Sequence, residues 1–173
     1  MGVIAIYREL GSGERQIVAF HYMGDVCGLA EDGRYVNTAE TLTPVRATKF
    51  RFGRLADLLA NHPTLDLHLL VKAAHDLRSA QRQIVILGRH RADDRVATMI
   101  ALLIQGGTFF DRATHTLFLP MGRQQIADYL KLTPETLARS FLRLEAHGFM
   151  KRLSPSKIQI RNEVFFLRWL NML

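Results

Sequence analysis

The chain has 173 residues, 48% of them apolar, which suits one compact domain or two small ones and excludes wholesale disorder. Lys and Arg number 23 against 16 Asp and Glu, and the net charge of +7 points to an anionic partner, nucleic acid first and an acidic membrane surface second. A single cysteine, Cys27, excludes an internal disulfide framework and a cluster held by several thiolates, and fits a reducing cytoplasm.

The N-terminal residues have no basic stretch before an apolar core, so they do not read as a secretory signal. Ile6 stands where a myristoylation motif needs Ser or Thr. The first fifty residues read as short strands. "GVIAIYREL" and "RQIVAFHY" are joined by "GSGE", a hairpin signal, and "MGDVCGL" and "ETLTPVRATKFRF" continue the β-rich region. Cys27 falls at a strand end there, where inert burial is the expectation.

The pattern changes after Gly53. "RLADLLANHP" reads as a short helix stopped by Pro63, and a long helix follows over 64–91. Leu70, Leu77 and Ile84 are seven apart, and Ala73, Ala80 and Leu87 each follow three residues later. Such a stripe either packs on the chain's own core or meets a second copy. The small alanines favour a close helix–helix approach, so the segment reads as a dimerisation helix. "ADDRVATMIALLIQGG" is a further helix, with acidic residues at its positive end and a Gly pair at its close. Its apolar run at 99–104 is far too short to cross a bilayer. "FFDRATHTLFLPMG" reads as a loop and a strand.

The last third carries the chemistry. "GRQQIADYL" is a short helix with Ile126, Ala127 and Leu130 on one face, and "KLT" is a turn. A second helix runs over 134–147 to Gly148, with Thr133 as N-cap, Pro134 at its first position and Leu137, Phe141 and Leu144 as its inner stripe. This is a helix-turn-helix pattern, and "FMKRLSPSKIQIRN" adds two strands around a turn, a wing. With the stripe inward, Glu135, Thr136, Arg139 and Arg143 face outward. An Arg can donate two hydrogen bonds to guanine, and a carboxylate can accept from cytosine, each good contact being worth about 1–3 kcal/mol of discrimination. Glu135 and Arg139 on spacing alone also fit an ordinary i,i+4 ion pair. Arg123, Gln124, Thr136, Arg143, Lys151 and Arg152 are the candidates for phosphate contacts.

Other chemistry finds little support. His62, His68 and His75 are six and seven apart, so none pairs at i,i+4 for a metal. No Gly-rich phosphate loop or nucleophile elbow appears, and an enzyme is not expected.

The segment 123–149, "RQQIADYLKLTPETLARSFLRLEAHGF", resembles the signature of the CRP/FNR family of bacterial transcription regulators, and "LPMGRQQIADYLKLTPETLAR" leans toward its FNR and FixK branch. "IYRELGSGERQIVAFHYMGDVCGL" at 6–29 is similar to the second half of the family's sensor barrel, and the helix at 64–91 sits where the family has its dimer helix. The resemblance implies base reading by Glu135 and Arg139. The position before the Glu, Arg in CRP itself, is Pro134 here, which argues for TTGA-type half-sites rather than a CRP-type site. Ala138 stands where the FNR branch often has Ser, which bears on the outer thymine contact. In the sensor, Leu29 replaces the Glu and Asn37 the phosphate-binding Arg of cyclic-nucleotide binders, so no cyclic nucleotide is expected. The FNR type of iron–sulfur cluster is not expected either, for want of its cysteines. Relatives begin further upstream, so either the true start lies before Met1 or the sensor is shortened with an open sheet edge.

The expected fold is therefore α+β: a partial β-barrel sensor over 1–53, a linker and dimerisation helix over 54–91, and a winged helix-turn-helix over 92–173. The expected function is that of a cytoplasmic homodimer reading a palindrome in double-stranded DNA, with RNA polymerase a partner implied by the resemblance and no membrane involved. A protein–protein module or anti-activator, using the barrel edge and dimer helix without specific DNA binding, is the alternative.

Overall fold

A computed structural model describes residues 2–11, 13–28 and 34–168. The expected hairpin is present as β1 (Ile4–Glu9) and β2 (Arg15–His21), antiparallel with a bulge between Ile6 and Tyr7. Its connection closes through Leu10 N donating to Glu14 O at 2.8 Å, and Gly13 supplies a positive φ of 80°. β3 (Thr38–Thr41) pairs with the other side of β1, giving a three-stranded sheet in the order β2-β1-β3. No closed barrel forms among the described residues.

Three expectations for this region need correction. Residues 23–28 are a turn and irregular chain, and residues 42–51 lack regular structure instead of forming a strand. Cys27 is exposed rather than buried, in irregular chain. Leu29 lies outside the described residues, while Asn37 is exposed in a bend.

Helix α1 (Phe52–Asn61) ends at His62, and Pro63 then opens α2 (Pro63–Leu87) at its first position, where a missing N–H costs nothing. The long helix thus ends at Gly88, short of the expected residue 91. Its stripe does not pack on the chain's own core: Leu70, Leu77 and Ile84 are 67%, 62% and 71% exposed, Ala73 and Ala80 are exposed, and Leu87 is half-buried. The opposite face does contribute to the core, through the buried Ile86 and Gln83.

The rest folds around one apolar centre. α3 (Ala92–Gly106) buries seven side chains from Val96 to Ile104, begins with Asp93 and Asp94 and ends at Gly107, whose φ is 70°. The expected loop and strand are a short hairpin, β4 (Phe110–Asp111) and β5 (Thr116–Phe118). Helices α4 (Arg123–Leu130) and α5 (Pro134–Ala146) follow, then β6 (Met150–Ser154) and β7 (Lys157–Ile160). The second sheet has the order β4-β5-β7-β6. A last helix, α6 (Glu163–Arg168), has no counterpart among the expected elements. It buries Phe166, stacks Phe165 on Phe149 at 3.5 Å and is capped by Asn162, whose Oδ1 accepts from Phe165 N at 2.9 Å.

Lys131 ends α4 with φ 51° and ψ 54°, a left-handed cap carried by a side-chain-bearing residue. That conformation costs an L-residue about 1–2 kcal/mol and glycine almost nothing. Lys131→Gly is therefore expected to raise stability by about 1 kcal/mol, or about 2–4 °C in Tm for a chain of this size. Thermal unfolding followed by circular dichroism measures it, and an unchanged or lower Tm would contradict the strain argument.

Candidate nucleic-acid interface

The start of α5 is built by its own sequence. Thr133, extended at ψ 153°, accepts a hydrogen bond from Thr136 N at 3.2 Å, and Pro134 fills the first helical position. Leu137, Phe141 and Leu144 are buried on the inner face as expected, joined by the buried Ser140. The outer face then presents Glu135 and Arg139, both exposed, with Thr136 half-buried between them.

These side chains are arranged in a chain of contacts. Thr133 Oγ1 donates to Thr136 Oγ1 at 3.1 Å, and Arg139 Nη2 donates to the same Thr136 oxygen at 3.3 Å. Arg139 therefore binds the threonine hydroxyl, where an ordinary solvated face would have it bind Glu135. The Glu135 carboxyl is held below its usual 4.5, first by its own backbone N–H at the helix start, then by the Thr133 hydroxyl and the charge of Arg139. It is thus a stable anion, an acceptor at neutral pH, while Arg139 holds several donors free for other partners.

The six candidate phosphate contacts sit in different surroundings. Lys151 is exposed on β6 beside the charge of Glu145. Gln124, at the start of α4, donates to Asp128 Oδ1 at 2.7 Å, one turn along the same exposed face. Thr136 belongs to the cap just described. Arg152 is held by Glu145, which accepts from its Nε at 2.8 Å and from its backbone N at 3.0 Å. Arg123 is half-buried, its guanidinium 4.0 Å from the centre of the Phe141 ring; burial and the charge of Arg152 both push its pKa down.

Arg143 has a partner that sequence reasoning missed. Its Nε and Nη2 donate to the two carboxylate oxygens of Asp93, on α3, at 2.7 and 2.6 Å, and Nη2 also reaches Ser140 Oγ at 3.2 Å. The fork fixes α5 against α3 and holds the Asp93 carboxyl below its usual 3.8, Arg143 being the main cause. A carboxyl with a depressed pKa adds stability above its unfolded pKa and loses it as pH falls through the folded value. Asp93→Asn is accordingly expected to lower Tm at neutral pH, with the difference from the parent shrinking below about pH 3.8. A difference independent of pH would remove the ion pair as its cause.

Among the described residues no helix is long and apolar enough to cross a membrane, and no group of His, Cys, Asp and Glu could hold a metal ion. The two-helix unit and its wing match a known domain. The Crp-like helix-turn-helix domain matches residues 94–164. The transcriptional activatory protein AadR of Rhodopseudomonas palustris is 37% identical over 144 residues, covering 83% of this chain and 60% of that protein. The nitrogen fixation regulation protein FixK of Rhizobium meliloti is 36% identical over 161 residues, 92% of this chain and 70% of that protein. The solved structure of FixK2 from Bradyrhizobium japonicum superposes with a TM-score of 0.83 at 29% identity, over 98% of this chain and 83% of that one. The chain spans about three fifths of the length of AadR, and these relatives are regulators rather than enzymes. Both the recognition unit and the likeness that runs on through the sheet and long helix place the chain in the CRP/FNR family of bacterial transcription regulators, on its FixK-like side.

Proposed function

We propose that the chain acts as a homodimer that reads a palindrome of TTGA-type half-sites, with Glu135 and Arg139 contacting bases and α2 joining the two copies. The observation that carries this is the exposed face of α5, where a stable carboxylate and a guanidinium hydrogen-bonded to a threonine hydroxyl stand at the leading end of a helix-turn-helix. Two recognition helices in successive major grooves lie about 34 Å apart. Lys151, Gln124 and Thr136 contact the phosphates directly. Arg123, Arg143 and Arg152 contribute positive potential while bracing the head through Phe141, Asp93 and Glu145.

The fold divides, on this reading, into a sensor sheet over 1–53, a linker and dimer helix over 54–91 and a DNA-binding part over 92–173. The reading includes RNA polymerase as the protein partner at the promoter and a cytoplasmic site of action, and needs neither a cyclic nucleotide nor an iron–sulfur cluster.

Titration of purified protein onto a labelled TTGA-type palindrome and a scrambled duplex, at several salt concentrations, tests it. Specific binding should exceed scrambled binding at every salt, and both should weaken as salt rises, since counterion release drives the phosphate contacts. Equal affinity for the two duplexes would end the specific-reader account.

A further inference from the structure

The last turn of α4 is where the rest of the molecule grips the DNA-binding part. The final carbonyls of a helix have no partner within it, and here four in a row are met by side chains from three other elements. Gln16 of β2 donates Nε2 to Asp128 O at 2.7 Å. Gln83 of α2 donates Nε2 to Tyr129 O at 2.5 Å. Arg95 of α3 donates Nη1 to Leu130 O at 3.1 Å and Lys131 O at 3.2 Å, while its Nε donates to Arg89 O, between α2 and α3, at 2.9 Å. The Phe20 and Tyr129 rings meet beside this node, with centroids 5.0 Å apart.

Successive carbonyls of a helix point about 100° apart around its axis. Donors from two elements on the adjacent carbonyls of Asp128 and Tyr129 therefore fix the rotation of α4 as well as its distance. Packing alone does not account for Gln83. It is 6% exposed, and among the described residues its Oε1 has no hydrogen-bond partner. A buried acceptor without a partner carries an unrecovered desolvation cost, which an apolar side chain of the same size would avoid. What glutamine supplies there, and methionine would not, is the donor to Tyr129 O.

We propose that Gln16 and Gln83 are positioning residues for DNA reading: they lock α4, and with it the packed α5, to the sensor sheet and the long helix, and so set the distance between the two recognition helices of the dimer. This rests on the palindrome-reading dimer proposed above. β2 belongs to the sensor sheet and α2 is the long helix, so the two glutamines tie the DNA-binding part to both.

The test uses the full chain with Gln16→Met, Gln83→Met and both together, volume-matched changes that remove only the donor and acceptor. Circular dichroism and light scattering establish that each variant is folded and has the parent's oligomeric state. Fluorescence anisotropy then compares a TTGA-type palindrome, versions with the half-sites moved one base pair closer or further, and a single half-site. The double variant should lose about tenfold in affinity for the best-spaced palindrome, a part of the gain that two linked half-sites give over one. Its preference among spacings should flatten, with single half-site binding unchanged. Gln16→Lys, which restores a donor of similar reach, should recover the spacing preference. If Gln83→Met does not fold, Gln16→Met on the half-buried strand carries the same comparison. A folded variant with the parent's spacing preference would overturn the proposal, as would equal losses on half-site and palindrome. A parent protein that does not distinguish the palindrome from scrambled DNA would instead overturn the reading beneath it, and the proposal with it.

Discussion

Replacing Arg139 with alanine is expected to abolish most of the discrimination between the palindrome and scrambled DNA while leaving scrambled binding nearly intact. The side chain is exposed and donates to Thr136 Oγ1 at 3.3 Å on the outer face, so its removal leaves the core of Leu137, Phe141 and Leu144 undisturbed. A bidentate guanine contact is worth about 1–3 kcal/mol per half-site. A dimer loses it twice, so specific affinity should fall by roughly thirtyfold at the least and by about four orders of magnitude at the most. The salt dependence separates this from a phosphate contact. Arg139→Ala should keep the parent's slope of log affinity against log salt on scrambled DNA, whereas Lys151→Ala should make that slope shallower by about 0.9 for each phosphate it no longer neutralises. Glu135→Ala should act differently again, relaxing the choice at the base it faces more than it weakens binding. If Arg139→Ala regulates and binds as the parent does, the DNA-binding part is idle and the protein–protein alternative gains the ground.

The parts of this picture that were legible in the sequence are those whose physics is local. Thr133 and Pro134 announce the start of α5, and three apolar residues at helical spacing give its inner face. Glu135 and Arg139 follow on the outer face by geometry alone. The apolar stripe of α2 was legible because a seven-residue repeat survives in any environment, and it is exposed on the single chain, as expected of a stripe that does not pack on the chain's own core. The sheet was harder to read. All four residues of β3 are exposed, so it shows no alternation, and the apolar and β-branched residues of 42–51 suggested a strand where the described chain is irregular. At six residues α6 is too short to show periodicity, and its one local signal is Asn162 as a cap. Least legible were contacts between distant residues. Asp93 lies fifty residues before Arg143, and Gln16 lies 112 before Asp128, yet these pairs decide which basic side chains are free for phosphate and how the DNA-binding part is held.

Leu77→Lys combined with Ile84→Lys is expected to split the dimer without unfolding the chain. In the single chain these side chains are 62% and 71% exposed, so a lysine at either site meets water rather than a packed core, and the monomer's own fold loses little. The same residues belong to a stripe with Leu70, Ala73, Ala80 and Leu87 along one helix, and a contiguous apolar face of that kind is uncommon on a surface with no partner. Two stripes pressed together would bury the leucines and isoleucine in pairs, while the alanines let the helices approach. Four lysines, two from each copy, placed in that seam must lose their water or hold the helices apart, and either outcome outweighs the remaining apolar contact. The consequence for DNA binding follows from linkage of the two reading parts. In the dimer the second half-site is engaged at an effective concentration in the millimolar range, a gain of about 10²–10⁴ over one half-site alone. The double variant should sediment as a monomer with the parent's circular dichroism spectrum and bind the palindrome about as weakly as a single half-site. A variant that remains dimeric would place the interface elsewhere on the chain, and a monomeric one with undiminished palindrome affinity would sever dimerisation from recognition altogether.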